Sequence, residues 1–219
     1  MSRKFFLLKN LRKGNSKFPE NYFPKKFLRK GCGVLKIIVG ISGASGAIMG
    51  CEFLKALREH GGIETHLIVT EGAATTFKHE TNLNPDDVKK FADEVYRNRD
   101  MSAKIASGSF RTDGLVIIPC SMKTVAGIAS GFAENLLLRA ADVCLKENRK
   151  IILVPREMPL SPLHLRNLKT VADFGCAIIP PVLTFYNHAD TVEKQIQHII
   201  GKIFSQLGLE YKNFVAWQS

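Results

Sequence analysis

LKIIVGISGASGAIMG, residues 35–50, decides the fold. It opens with a short apolar run whose β-branched residues, Ile37, Ile38 and Val39, suit a strand buried on both faces. The run breaks into Gly40, Gly43 and Gly46 with serines between them, and apolar residues follow at helical spacing: Ala47, Cys51, Leu54 and Leu57. Strand, small-residue loop and helix make an anion site. The loop lets a ligand approach the backbone, and the free N–H groups of the helix start point at it. The stretch therefore predicts a phosphate-bearing cofactor. Without that ligand it reads as a tight turn in an ordinary βα unit.

The flanking sequence repeats the pattern. The first helix, from about Gly46 to His60, stops at Gly61-Gly62. Thr65–Thr70 reads as a second strand, and Glu71–Lys78 as a short helix or loop. Asn84-Pro85-Asp86-Asp87 carries a cap, a proline and first-turn acids, predicting a helix that runs to about Tyr96. Asp100–Phe110 reads as a polar, mobile loop, and Gly114–Pro119 as the third strand. Helices are predicted from Thr124 to Ser130 and from Asn135 to Glu147, then a fourth strand over Lys150–Val154. A helix over Pro162–Ala172, a fifth strand over Cys176–Ile179 and an amphipathic helix over Val192–Leu207 complete the pattern. Alternating strands and helices imply a parallel sheet with right-handed crossovers. Ligands of such sheets bind outside the carboxyl ends of the strands. The loops 40–46, 70–80, 120–124, 155–161 and 180–186 all fall there.

Charge narrows the function. The chain has 219 residues, 45% of them hydrophobic, and a formal net charge of +11. Residues 1–35 hold ten Lys/Arg and one acid, Glu20, so nearly all of the excess lies there. The body is close to neutral and gives no nucleic-acid footprint. No apolar run approaches the roughly 20 residues of a membrane helix. Residues 1–34 admit three readings: a basic targeting peptide, a disordered extension, or translated leader ahead of a start at Val34 or Leu35. Five scattered cysteines (Cys32, Cys51, Cys120, Cys144, Cys176) without a CxxC read as reduced thiols in a cytosolic setting. Six histidines show no ligand spacing, so no structural zinc is expected.

Arg139 and Lys146 lie seven apart on one predicted helix and share a face. With Arg156 they can converge on phosphate oxygens, or form a solvated face paired with Asp142 and Glu147. Glu157, beside Arg156, suits proton transfer if a bound phosphate raises its pKa; otherwise it is a surface ion-pair partner.

GISGASGA (40–47), IASGSF (105–110), PCSMKT (119–124), NLLLRAADVCLKENRK (135–150), LVPREMPLSPLHL (153–165) and PPVLTFY (180–186) together resemble the UbiX/Pad1 family of flavin prenyltransferases. The resemblance covers about residues 35–212, leaving 1–34 as a basic extension and 213–219 as a tail. It implies an α/β, three-layer doubly wound, flavodoxin/Rossmann-like parallel sheet, assembled as a cytoplasmic dodecamer. A mitochondrial address applies only if residues 1–34 are a targeting peptide. The implied reaction transfers a dimethylallyl group from dimethylallyl phosphate to N5 and C6 of reduced FMN. No metal is needed, and the prenylated FMN serves a UbiD-type decarboxylase.

Carried over by position, Gly43, Ala44 and Ser45 match the flavin-phosphate loop and its catalytic serine. Thr70, Ser121, Met122, Lys123, Thr124 and Arg156 match further FMN contacts. Glu80 matches an active-site acid and Glu157 the residue credited with proton transfer. Arg139, Lys146, Tyr186 and Lys202 match the binders of the prenyl phosphate, supplied partly by neighbouring subunits. Lys202 stands where some members have Arg, and Met101 where some have Trp, which leaves the choice between monophosphate and diphosphate donor open. Three rivals share parts of the pattern. A phosphopantothenoylcysteine-type FMN decarboxylase would need PASAN-like and PxMN segments, where this chain has PCSMKT and PREMPLS. An NAD-dependent reductase would use GxGxxG rather than the GxxGxxG found here, with Glu71 as its ribose-binding acid. A non-catalytic flavin carrier would have no need of Glu157 or the basic cluster.

Overall fold

A computed structural model describes residues 33–217. Six strands form one sheet in the order β3-β2-β1-β4-β5-β6, every neighbouring pair parallel. β1 (Leu35–Ile41) and β4 (Gly114–Cys120) lie at its centre, flanked by β2 (Ile63–Val69) and β5 (Lys150–Pro155). β4 is buried along its whole length, as a continuous apolar run between two helical layers demands. The chain leaves β1 toward β2 on one side and returns to β4 on the other. The order therefore reverses between β1 and β4, and a crevice opens at their carboxyl ends.

Two cores fill the space above and below the sheet. On one side α1 (Ala47–His60) and α7 (Val192–Leu207) pack Phe53, Leu54, Leu57, Ile200 and Phe204 together, and Phe77 of α2 (Glu71–Glu80) joins them. On the other side α4 (Met122–Ser130) and α5 (Leu136–Lys146) bury Val125, Leu136 and Leu137, with Val171 of α6 (Pro162–Asp173). Truncating a fully buried leucine such as Leu54 to Ala costs about 2–5 kcal/mol.

The doubly wound parallel sheet agrees with the sequence reading, with two corrections. The helix expected from Asn84 to about Tyr96 ends early: α3 is Pro85–Lys89, and Glu94–Arg97 is an edge strand, β3. Asp93 causes the change. Its carboxylate accepts from the Thr65 amide at 2.7 Å and the Thr65 hydroxyl at 2.8 Å, tying the start of β3 beside β2. The sheet thus has six strands where five were expected, and the last, β6, is only Ala177–Ile178. The second correction concerns the loop read as mobile. It contains a 3₁₀ turn, Lys104–Ala106, and is pinned by two arginines. Arg139 donates to the Ala106 carbonyl, and Arg149 to those of Gly108 and Phe110.

Cys51, Cys120, Cys144 and Cys176 are buried, whereas Cys32 and the extension 1–32 lie outside the described residues. Burial pushes the Cys176 thiol up to about 11 and the Cys144 thiol to about 12, so neither is a nucleophile at neutral pH. Among the described residues no helix is long and apolar enough to cross a membrane. No group of three or more His, Cys, Asp or Glu side chains among them could hold a metal ion.

Candidate active site

A cavity of about 660 Å³ opens at the switch point. Its volume lies within the ~300–1,000 Å³ usual for cofactor clefts. Gly43, Thr70, Ser121, Lys123 and Thr124 line it, so residues from three expected flavin segments meet in one place. Backbone register brings them together. Thr70 N donates to the Ile41 carbonyl at 3.0 Å, placing the β2 loop beside the β1 loop. Buried Ser42 joins the third: its hydroxyl donates to the Pro119 carbonyl at 3.0 Å and accepts from Ser121 N at 2.7 Å. Gly43 is required by closeness. A Cβ there would stand 3.0 Å from the backbone of Gly72, where the β1 loop touches the first turn of α2 main chain to main chain. Thr70 and Ser121 cap α2 and α4, accepting from Ala73 N and Thr124 N. Two helix starts therefore face the crevice, and their dipoles favour an anion there.

The start of α1 behaves differently from the sequence expectation. Its first N–H groups do not await a ligand. The Glu80 carboxylate accepts from Gly46 N at 2.8 Å and Ala47 N at 3.3 Å. Desolvation alone would raise the pKa of Glu80. Hydrogen bonds from the Ser45 hydroxyl and the Gly46 and Ala47 amides, with the charge of Arg156, outweigh it and hold the carboxyl below its ordinary value. Ser45, Glu80 and Arg156 thus form one electrostatic group beside the cavity. Arg156 is brought there by its amide, which donates to the Cys120 carbonyl at 3.2 Å. Ala44, in the β1 loop, and Met122, at the start of α4, are buried. Glu157 is exposed, and its carboxylate accepts from Met158 N at 3.1 Å.

The four expected donor residues do not meet within one chain. Arg139 and Lys146 lie on α5, about 10 Å apart along its axis at 1.5 Å per residue. Each already has an ion-pair partner at 2.5 Å, Asp142 for Arg139 and Glu147 for Lys146. Tyr186 and Lys202 belong to the opposite layer. Tyr186 packs edge-on against His198 of α7, at 5.7 Å between centroids, and Lys202 Nζ sits over the Phe214 ring, 5.3 Å from its centroid. The tail expected beyond residue 212 packs back here, with Trp217 edge-on to Tyr186 at 5.0 Å. Met101 is exposed.

Sequence reasoning missed Asn98, which lines the cavity and holds its far wall. Its carbonyl accepts from Leu136 N at 2.8 Å, and its side chain from Leu137 N at 3.2 Å, fixing the start of α5. Nothing in the local pattern marks it, because it follows the strand that was read as helix. Arg99 and Glu134 also line the cavity, paired with Glu71 and Lys123. A second cavity, of about 730 Å³, lies at the carboxyl ends of α1 and α7 and contains none of the expected residues.

Comparison with known proteins identifies the family. The Flavoprotein family model matches residues 30–208. A probable UbiX-like flavin prenyltransferase of Sedimentibacter hydroxybenzoicus is 60% identical over 184 residues, covering 84% of this chain and 97% of the relative. A dodecameric FMN-dependent UbiX-like decarboxylase from Escherichia coli O157:H7 superposes with a TM-score of 0.83 at 49% identity, covering 84% of this chain and all of the other. AnUbiX (PadA1), solved with FMN and dimethylallyl pyrophosphate, gives 0.82 at 44% identity, covering 84% and 98%.

Proposed function

The chain belongs to the UbiX-like flavin prenyltransferases, and from that premise we propose how its residues divide the transfer of a dimethylallyl group to reduced FMN. It is a transferase; FMN is its substrate, and the dimethylallyl phosphate supplies the group joined to flavin N5 and C6. The observation that carries this reading is the cavity at the switch point, lined by Gly43, Thr70, Ser121, Lys123 and Thr124. Its close main-chain approach and two capped helix starts suit a flavin phosphate. Ala44, Ser45, Met122 and Arg156 complete the FMN contacts.

Ser45 and Glu80 act as a hydrogen-bonded pair at the reacting edge, and Glu157 carries a proton. Arg139, Lys146, Tyr186 and Lys202 hold the donor phosphate. Breaking the allylic C–O bond leaves negative charge on that phosphate, and fixed cations in a water-poor site stabilise it strongly. Because these four residues fall on two faces of the protomer, the donor site is completed between copies. A dodecamer like that of the Escherichia coli relative supplies such copies. The exposed Val182, Leu183 and Phe185 beside Tyr186 give that assembly an apolar face to bury. The prenylated product passes to a UbiD-type decarboxylase in the cytoplasm.

The test is to add dimethylallyl phosphate, and separately the pyrophosphate, to the protein holding reduced FMN. The flavin should gain one dimethylallyl unit by mass spectrometry and change its absorption spectrum. An unchanged flavin together with decarboxylation of a cysteinyl substrate would overturn the reading in favour of the decarboxylase.

A further inference from the structure

Arg149 does not line the cavity, yet its side chain makes a dense set of hydrogen bonds with one loop. The chain brings it there by a defined route. α5 ends at Lys146, and Asn148 takes a left-handed turn at φ 51°, a conformation Asn tolerates better than most residues. Arg149 N then donates back to the Cys144 carbonyl at 2.8 Å, which turns its side chain toward residues 108–112. The guanidinium donates to the Gly108 carbonyl at 2.6 Å, the Phe110 carbonyl at 2.9 Å and the Thr112 hydroxyl at 3.2 Å. Arg139, near the other end of α5, holds the Ala106 carbonyl at 3.1 Å.

Between these two staples the loop meets Lys146. A Cβ added to Gly108 would stand 2.6 Å from Lys146 Nζ and closer still to the Glu147 carboxylate. The glycine is therefore a seat for the Lys146–Glu147 pair, at a height set by Arg149. A lysine in place of Arg149 could not reproduce this grip, because its donors radiate from a single point while the three acceptors are spread along the loop.

We propose that Arg149 is a positioning residue for prenyl transfer, holding the loop so that Gly108 seats the Lys146 ammonium where the donor phosphate is bound. This rests on the reading of Lys146 as a donor-phosphate residue. Arg149 itself touches neither substrate.

Three variants test it in the full-length protein: Arg149→Lys, Gly108→Ala and Lys146→Met. The measurements are KM and kcat for dimethylallyl phosphate, FMN affinity and thermal midpoint. A displacement of about 1 Å at a reacting group can cost up to a hundredfold in rate. Arg149→Lys and Gly108→Ala should therefore lose tenfold or more in kcat/KM for the donor, with FMN affinity unchanged. Gly108→Ala is the cleaner arm: its new methyl meets only the ends of flexible side chains, so the thermal midpoint should stay at the parental value. Parental donor kinetics in Gly108→Ala and Arg149→Lys, with Lys146→Met impaired, would overturn the role of Arg149 alone. Parental kinetics in Lys146→Met would overturn the donor reading and this inference with it. A loss that tracks FMN affinity or thermal midpoint in both of the first two variants would make Arg149 merely structural.

Discussion

The flavin half and the donor half of the candidate site are built in different ways. Gly43, Thr70, Ser121 and Thr124 sit at the carboxyl ends of three adjacent strands, and the sheet register brings them into one cavity within one chain. Arg139 and Lys146 lie on a helix covering one face of that sheet, while Tyr186 and Lys202 lie with the helix covering the other. Strand-end loops are located by backbone hydrogen bonds. Cations on helix surfaces are located only by whatever packs against the helix. On the proposed reading, flavin binding is a property of the protomer and donor chemistry a property of the assembly.

The largest effect should come from the donor half. Lys146→Met should lower turnover about a hundredfold or more, the usual loss when one donor to developing charge is removed. FMN affinity should not move. Lys→Met keeps most of the apolar stem, so stability should change little. Steady-state prenylation with parallel FMN titration checks this; weakened FMN binding at unchanged turnover would move Lys146 to the flavin half.

Gly43→Val reverses the pattern. Its side chain would press on the Gly72 backbone, which has no flexible end to yield. Overpacking of this kind costs about 1–3 kcal/mol. If the strain falls on the loop, FMN affinity drops roughly 5- to 140-fold. Turnover at saturating FMN should fall far less. A variant that binds FMN normally would break the claim that this loop contact shapes the flavin half.

For Glu80→Gln the effect predicted is on stability rather than turnover, and it is small. Desolvation opposes ionisation of Glu80, but hydrogen bonds from Ser45, Gly46 and Ala47, with Arg156 nearby, depress its folded pKa. A depressed carboxyl contributes stability above its unfolded pKa, about 4.3, and loses it as pH falls through the lower folded value. The parent should exceed Glu80→Gln by about 0.3–1 kcal/mol at pH 7, the range for an anion at a helix start. The gap should close below about pH 4. Thermal midpoints from pH 3 to 8 test this, and a gap independent of pH would contradict it.

The same contrast governs what the sequence disclosed. In Leu35–Gly50 the strand, loop and helix held because all three are encoded locally, and Gly43 and Gly46 fall where the chain leaves the sheet; the open helix start did not hold, since Glu80 takes its first N–H groups. The edge strand Glu94–Arg97 was not legible. Only one of its four side chains is partly buried, so it shows no alternation, and strong helix-start signals precede it. Its existence depends on the clasp between Asp93 and Thr65, 28 residues away. Glu80 at the start of α1 is a contact across 34 residues and equally invisible to local patterns. Asn98 was lost with the strand that places it. The separation of Lys146 from Lys202 became visible only when α5 and α7 were assigned to opposite layers.

The most direct test of the division is complementation in mixed assemblies. Lys146→Met and Lys202→Met chains are prepared separately, then coexpressed and purified as one oligomer through different tags. If each donor site takes Lys146 from one copy and Lys202 from another, some sites in the mixture carry both lysines intact. The mixture should then recover prenylation well above either parent, with FMN content the same in all three samples. A mixed oligomer no more active than the average of its parents would mean that both lysines serve from the same chain, and would contradict a donor site completed between copies.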